Sequence, residues 1–295
     1  MSPKLPEWFK QKPPKAGELK HVERLISSLE LHTVCQGAHC PNMWQCFASG
    51  TATFMILGNI CSRNCTFCAV DKGTPLPVDA DEPQNIAHAV KALGLNYVVI
   101  TCVTRDDLSD GGATHFVETI KELRKSSPNL KIEVLVSDFN GNQKAIEIVA
   151  RASPQVFAHN LETVPGLYQF VRPMANYQRS LDVLAQAKNI NPRMVTKSGI
   201  MLGLGESQPE VLEVMQDLRK VGCELLSIGQ YLAPSELHHQ IAEFITPKQF
   251  YELERIGLNI GFKAVASAPL VRSSYKAGEL FEQAFPADVN LNLTF

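Results

Sequence analysis

The stretch NYVVITCV (96–103), followed by THFVETIKELRK (114–125), sets the frame. The first segment is a short apolar run rich in β-branched residues, the signature of a buried strand. The second places apolar residues at helical spacing and ends in basic residues, as helix C-termini prefer. The same pair recurs on both sides. TATFMILG (51–58) precedes EPQNIAHAVKALG (82–94), and KIEVLVS (131–137) precedes NQKAIEIVARA (142–152). QVFAHN (155–160), MVTKSGIML (194–202) and LLSIGQYL (225–232) are likewise each followed by a helical pattern, and FKAVASAP (262–269) reads as one more short strand.

Six β-then-α units in series predict parallel strands with helices packed outside. The expected fold class is α/β, a partial (β/α)6 barrel of the TIM type, in preference to a doubly wound sheet. Neither a GxxxxGK[ST] loop nor a strand-borne GxGxxG is present. The ends do not follow the rhythm, which predicts three parts: an N-terminal extension 1–50, a barrel 51–266 and a C-terminal extension 267–295.

Composition narrows the function. A net charge of −2 leaves no basic footprint for nucleic acid. No apolar run approaches the roughly 20 residues needed to span a bilayer. The N-terminus carries Lys, Glu and Pro where a signal peptide needs an apolar core. The expectation is a cytoplasmic protein without a membrane partner. Its clustered cysteines then read as metal ligands rather than disulfides, because the chain is neither small nor marked for secretion.

Six of those eight cysteines fall in two groups of three. Cys61, Cys65 and Cys68 form C-x3-C-x2-C directly after the first strand, where a β/α barrel assembles its active site. Structural zinc closes its shell with four ligands. Three thiolates on a four-iron cluster leave one iron free to bind a cofactor, a physical reason to stop at three. Cys35, Cys40 and Cys46 form C-x4-C-x5-C ahead of the barrel. Two readings stand there: a zinc knuckle completed by His32 or His39, and a second cluster whose fourth ligand comes from elsewhere. Cys102 and Cys223 lie in or beside apolar strands and read as buried small hydrophobes.

C-x3-C-x2-C with Phe67 before its last cysteine resembles the radical S-adenosylmethionine superfamily. Together with C-x4-C-x5-C, GTPLPVDADEP, TRDDLSDGGA (104–113), HNLETV (159–164), VRPMANY (171–177) and VRSSYKAG (271–278), it closely resembles the lipoyl synthase family along nearly the whole chain. The resemblance implies two [4Fe–4S] clusters and S-adenosylmethionine as cofactors. It implies that Ser274, with Ser273 as the alternative, completes the cluster on Cys35, Cys40 and Cys46, and that Asn160 and Glu162 help hold S-adenosylmethionine. By the same analogy Gly111-Gly112 stand near the cofactor amine, although Ala113 replaces the superfamily's acidic residue.

The implied reaction inserts sulfur at C6 and C8 of a protein-bound octanoyl-lysine, with the second cluster as donor. The implied partners are the glycine-cleavage H protein, lipoyl domains of 2-oxoacid dehydrogenase complexes, a ferredoxin or flavodoxin, and an iron–sulfur carrier. A biotin synthase-like sulfur-inserting enzyme and a non-enzymatic iron–sulfur electron carrier are the alternatives. C-x4-C-x5-C and RSSY speak against the first, and six βα units against the second.

Overall fold

The computed structural model describes residues 5–10, 20–38, 40–48 and 53–286. Seven parallel strands form its centre: β1 (Thr53–Ile56), β2 (Tyr97–Cys102), β3 (Lys131–Leu135), β4 (Val156–Ala158), β5 (Val195–Leu202), β6 (Leu225–Gln230) and β7 (Ala264–Ser267). They pair in chain order from β1 to β7. A two-residue strand, His32–Thr33, adds antiparallel to the outer edge of β1. The helices between them are α1 (Glu82–Ala92), α2 (Ala113–Ser126), α3 (Gln143–Arg151), α4 (Tyr177–Ile190), α5 (Gln208–Lys220) and α6 (Pro247–Asn259). The expected six βα units and the extra short strand are all present. Among the described residues β1 and β7 do not pair, so the barrel is open.

The local chemistry accounts for these boundaries. Thr246 and Gln249 form a reciprocal capping box at the start of α6, with Pro247 at the first helical position. Asn142 and Asn176 accept from the first free amides of α3 and α4. Thr53–Ile56 and Tyr97–Cys102 read as near-continuous apolar runs because both faces of the sheet are buried. Phe116, Ile120 and Leu123 of α2 are essentially inaccessible, as are Phe54, Ile100 and Ile132 of the neighbouring strands. Among the described residues no helix is long and apolar enough to cross a membrane.

Two features decide where the functional loops go. After β1 the backbone turns through Leu57 (φ 70°) and Gly58 (φ 89°). Such a left-handed Leu persists only when its surroundings impose it. Here the Leu57 amide donates to Glu82 Oε2 at 2.8 Å, and Arg105 Nη1 donates to its carbonyl at 3.2 Å. Gly112 lies directly against the Leu57 side chain, where any Cβ would collide, and Gly111 packs on Phe139. This diglycine makes room for the corner that launches the cysteine loop.

The second feature is the C-terminal segment. Leu280 and Phe281 of the helix Ala277–Ala284 pack against Val156, Val195, Leu225 and Ala264, the first residues of β4 to β7. This helix therefore closes the N-terminal end of the barrel. Above it, Lys197 Nζ pairs with Glu133 Oε1 at 2.8 Å, both side chains inaccessible, and Tyr97 Oη donates to Glu133 Oε2 at 2.6 Å. The buried charges are thus mutually satisfied.

Candidate active site

A cavity of about 500 Å³ opens at the C-terminal ends of the strands. Met55 of β1, Cys102 of β2, Leu135 of β3, Ile200 of β5 and Ser227 of β6 all contribute to its wall. Only a curled sheet brings strands so far apart in the pairing order to one space. All six clustered cysteines reach this cavity, together with Phe67, Asn160, Glu162, Ser273 and Ser274.

Cys61, Cys65 and Cys68 sit in the loop after β1. Its first turn is held by pairing of Ile60–Cys61 with Asp71–Lys72. Farther on, the Thr66 amide donates to Val171 O at 3.0 Å, and His239 N donates to Thr66 O at 2.9 Å. Cys35 lies in the short helix Val34–Gly37, capped by Thr33. Cys40 N donates to Cys35 O, and Cys46 N donates to Asn42 O, both at 3.0 Å.

Segments that precede and follow the barrel strands meet here. Asn42 Nδ2 donates to Leu270 O at 2.6 Å, and Tyr275 Oη donates to Gln45 Oε1 at 3.1 Å. The segment holding Ser273 and Ser274 is thereby laid against the first cysteine triad. The two serines differ in their partners. Ser273 Oγ donates to Asn160 Oδ1 at 3.0 Å, whereas Ser274 Oγ has no hydrogen-bond partner among the described residues.

Asn160 and Glu162 follow β4. Asn160 Nδ2 donates to Glu162 Oε1 at 3.0 Å, so Asn160 links the carboxylate to the serine segment. Glu162 takes a left-handed backbone (φ 68°), held by hydrogen bonds to Gly199 and Met201. Burial raises its carboxyl pKa, against the opposing charge of Arg172. Sequence reading assigned no role to Arg172. Its Nη1 donates to Asn160 O and Leu161 O at 3.0 Å, while its buried Nε has no partner among the described residues. The only signal for it was its place inside the VRPMANY match.

Soft thiol donors in groups of three fit an iron–sulfur group, whose thiolates bind separate irons. Among the described residues no three His, Cys, Asp or Glu side chains converge on one metal position. His32 does not reach the cavity wall, and His39 lies outside the described residues. Arg172 Nε and Ser274 Oγ, without partners among the described residues, belong to residues of the cavity wall. Burial pushes the Cys35 and Cys68 thiols up to about 12 and raises Cys40 and Cys65 as well. Ligation must therefore displace protons.

Cys223 is buried as expected. Cys102 departs from expectation: it is the last residue of β2, and at the barrel mouth it is only partly buried and lines the cavity.

His159, also on the wall, donates from Nδ1 to Val136 O (2.9 Å) and accepts at Nε2 from Ser180 Oγ (3.0 Å). The carbonyl partner requires a proton on Nδ1. Burial, reinforced by Arg172, lowers its pKa to about 4. An unfolded His takes up its proton near pH 6.5, so the folded chain binds fewer protons between those values. Stability present above about pH 6.5 is lost as pH falls toward 4, by on the order of 3 kcal/mol. Urea midpoints should therefore drop between about pH 7 and about pH 5 and flatten in His159→Gln. A wild-type midpoint that stays level across that interval would contradict the buried neutral imidazole.

An open β/α barrel with a thiolate triad on the loop after its first strand defines the class. Residues 55–218 match the family model of the Radical SAM superfamily. The likeness extends to known proteins. The chain is 55% identical to the lipoyl synthase of Caldanaerobacter subterraneus, with 94% of this chain and 97% of that one covered. With the lipoyl synthase of Caldicellulosiruptor saccharolyticus it shares 53% identity over 95% and 98%. The chain belongs to the lipoyl synthase family.

Solved structures agree in fold alone. A methylornithine synthase superposes with a TM-score of 0.55 at 14% identity, covering 82% of this chain and 70% of that one. A maturase of the [FeFe]-hydrogenase gives 0.56 at 12% identity, covering 84% and 62%. Family membership makes the chain a radical S-adenosylmethionine enzyme that uses iron–sulfur chemistry.

Proposed function

We propose that this enzyme inserts two sulfur atoms, at C6 and C8, into an octanoyl chain carried on a lysine of a carrier protein. Two [4Fe–4S] clusters serve it. Cys61, Cys65 and Cys68 hold the one that works with S-adenosylmethionine; Cys35, Cys40, Cys46 and Ser274 hold the auxiliary one, which is consumed as the sulfur-donating substrate. The observation that carries this reading is that both triads and Ser274, whose hydroxyl has no partner among the described residues, line one cavity.

Held at the Cys61, Cys65 and Cys68 site, S-adenosylmethionine would supply, on one-electron reduction, radical chemistry able to take hydrogen from an unactivated carbon. The chain's own residues position the rest. Arg172, with its unpartnered Nε, is suited to a carboxylate of the cofactor. Glu162 and Asn160, linked to each other, suit its amino and hydroxyl groups, and Phe67 supplies apolar contact. Val103, Val136, Ile200 and Leu232 give the cavity an apolar wall fit for an alkyl chain.

The extensions 1–50 and 267–295 act together around the auxiliary cluster, and 51–266 is the radical-generating barrel. The carriers are the H protein and lipoyl domains, the reductant a ferredoxin or flavodoxin, and an iron–sulfur carrier rebuilds the auxiliary cluster, all in the cytoplasm. The test is anaerobic incubation of reconstituted protein with S-adenosylmethionine, dithionite and an octanoyl-lysine peptide, followed by mass analysis. The dithiolated peptide is expected. Zinc in place of iron, or cofactor cleavage with the peptide unchanged, overturns the reading.

A further inference from the structure

The loop bearing Cys61, Cys65 and Cys68 carries one charged residue between its first two cysteines, and that residue is buried. Arg63 is 5% exposed. Its Nε donates to Asp106 Oδ2 at 2.7 Å and its Nη2 to Asp106 Oδ1 at 2.8 Å, a two-pronged pair. The same Nη2 reaches Asp138 Oδ1 at 2.7 Å. Asp106 lies on the loop after β2 and Asp138 on the loop after β3. Asp138 is in turn held by Arg179 Nε of α4 at 2.8 Å. Ser62 adds main-chain ties: its amide and its hydroxyl both donate to Thr104 O, and Asp106 N donates to Ser62 Oγ. Finally, the Arg63 amide nitrogen lies 3.5 Å from Cys61 Sγ.

We propose that Arg63 is a positioning residue, clamping the cysteine loop to the β2 and β3 loops and so setting the direction of the open iron and the cluster's reduction potential. This rests on the assignment of a cluster to Cys61, Cys65 and Cys68. The physical reasoning has two parts. A guanidinium is a rigid planar fork that grips one carboxylate with two nitrogens and still reaches a second; an ammonium is a single point of charge. The loop's orientation therefore depends on the fork, not on charge alone. The potential depends on net charge and on hydrogen bonds to the sulfurs. Arg63 and Arg179 balance Asp106 and Asp138, two charges against two. Removing Arg63 leaves a net negative charge beside the cluster and makes reduction harder.

Two variants separate the effects, made in holoenzyme whose Cys35, Cys40 and Cys46 are Ala so that one cluster is observed. Arg63→Lys keeps the charge and loses the fork. It should retain wild-type iron content and melting midpoint yet bind S-adenosylmethionine at least about ten-fold more weakly, as loss of a supporting contact does. The change that the cofactor produces in the reduced cluster's paramagnetic resonance spectrum should diminish with it. Arg63→Gln should weaken binding similarly and also move the midpoint potential to more negative values. If either variant fails to load iron, Asp106→Asn, whose carboxylate is partly exposed, removes one arm of the clamp and is read in the same way. Wild-type cofactor affinity and an unshifted potential in the loaded variants overturn the proposal. Retention of the cofactor-dependent spectrum when Cys61, Cys65 and Cys68 are Ala instead overturns the cluster assignment, so the two failures are distinguishable.

Discussion

Replacing Ser274 with cysteine should leave both clusters in place and S-adenosylmethionine cleavage intact, while dithiolated product falls below about one-tenth of wild type. The argument starts from ligand chemistry. A serine oxygen is a hard, weakly acidic donor, poorly matched to iron beside three thiolates. A bond of that kind is readily protonated and released, as suits a cluster that must open to surrender sulfur. Cysteine at the same position supplies a fourth soft thiolate that iron holds more firmly. Donation of sulfur should then stall although the cluster itself is more stable. Ser274→Ala should also lose product, with faster loss of auxiliary iron. Ser273 provides the control, because its hydroxyl is already engaged by Asn160. The measurement is the ratio of octanoyl, monothiolated and dithiolated peptide over one turnover. Wild-type product yield from Ser274→Cys would show that release of this bond does not limit the reaction.

Simultaneous replacement of Cys61, Cys65 and Cys68 with alanine should reduce cofactor cleavage to background. Supporting contacts around a metal site cost about 10–100-fold when removed, so loss of all three ligands should cost more than that. Iron should fall from about eight to about four per chain, because the auxiliary site keeps its own thiolates. The reciprocal change, at Cys35, Cys40 and Cys46, should spare part of the cleavage and eliminate sulfur insertion. Dithiolated product from that reciprocal variant would exclude the auxiliary cluster as donor. Iron assay and separate quantification of 5′-deoxyadenosine and product peptide distinguish these outcomes.

The sequence by itself determined what depends on neighbours in the chain. Strand and helix follow from apolar spacing within about ten residues, so every βα unit from TATFMILG to PKQFYELERIGLN was legible. The loop position of Cys61, Cys65 and Cys68, and the grouping of cysteines by threes, are equally local facts. The motif match carried the family. The tertiary structure decided what depends on contacts between distant segments. It brought both triads into one cavity and bound Asn42 to Leu270, 228 positions away. It engaged Ser273 with Asn160 and left Ser274 without a partner among the described residues, a difference invisible in two adjacent serines. It set Gly112 against the Leu57 corner, where a missing Cβ matters, and it placed Cys102 on the cavity wall. Arg63 and Arg172 acquired their meaning in the same way. A guanidinium has no periodicity to betray it, and its role is set by which carboxylates and carbonyls the fold carries to its five donors.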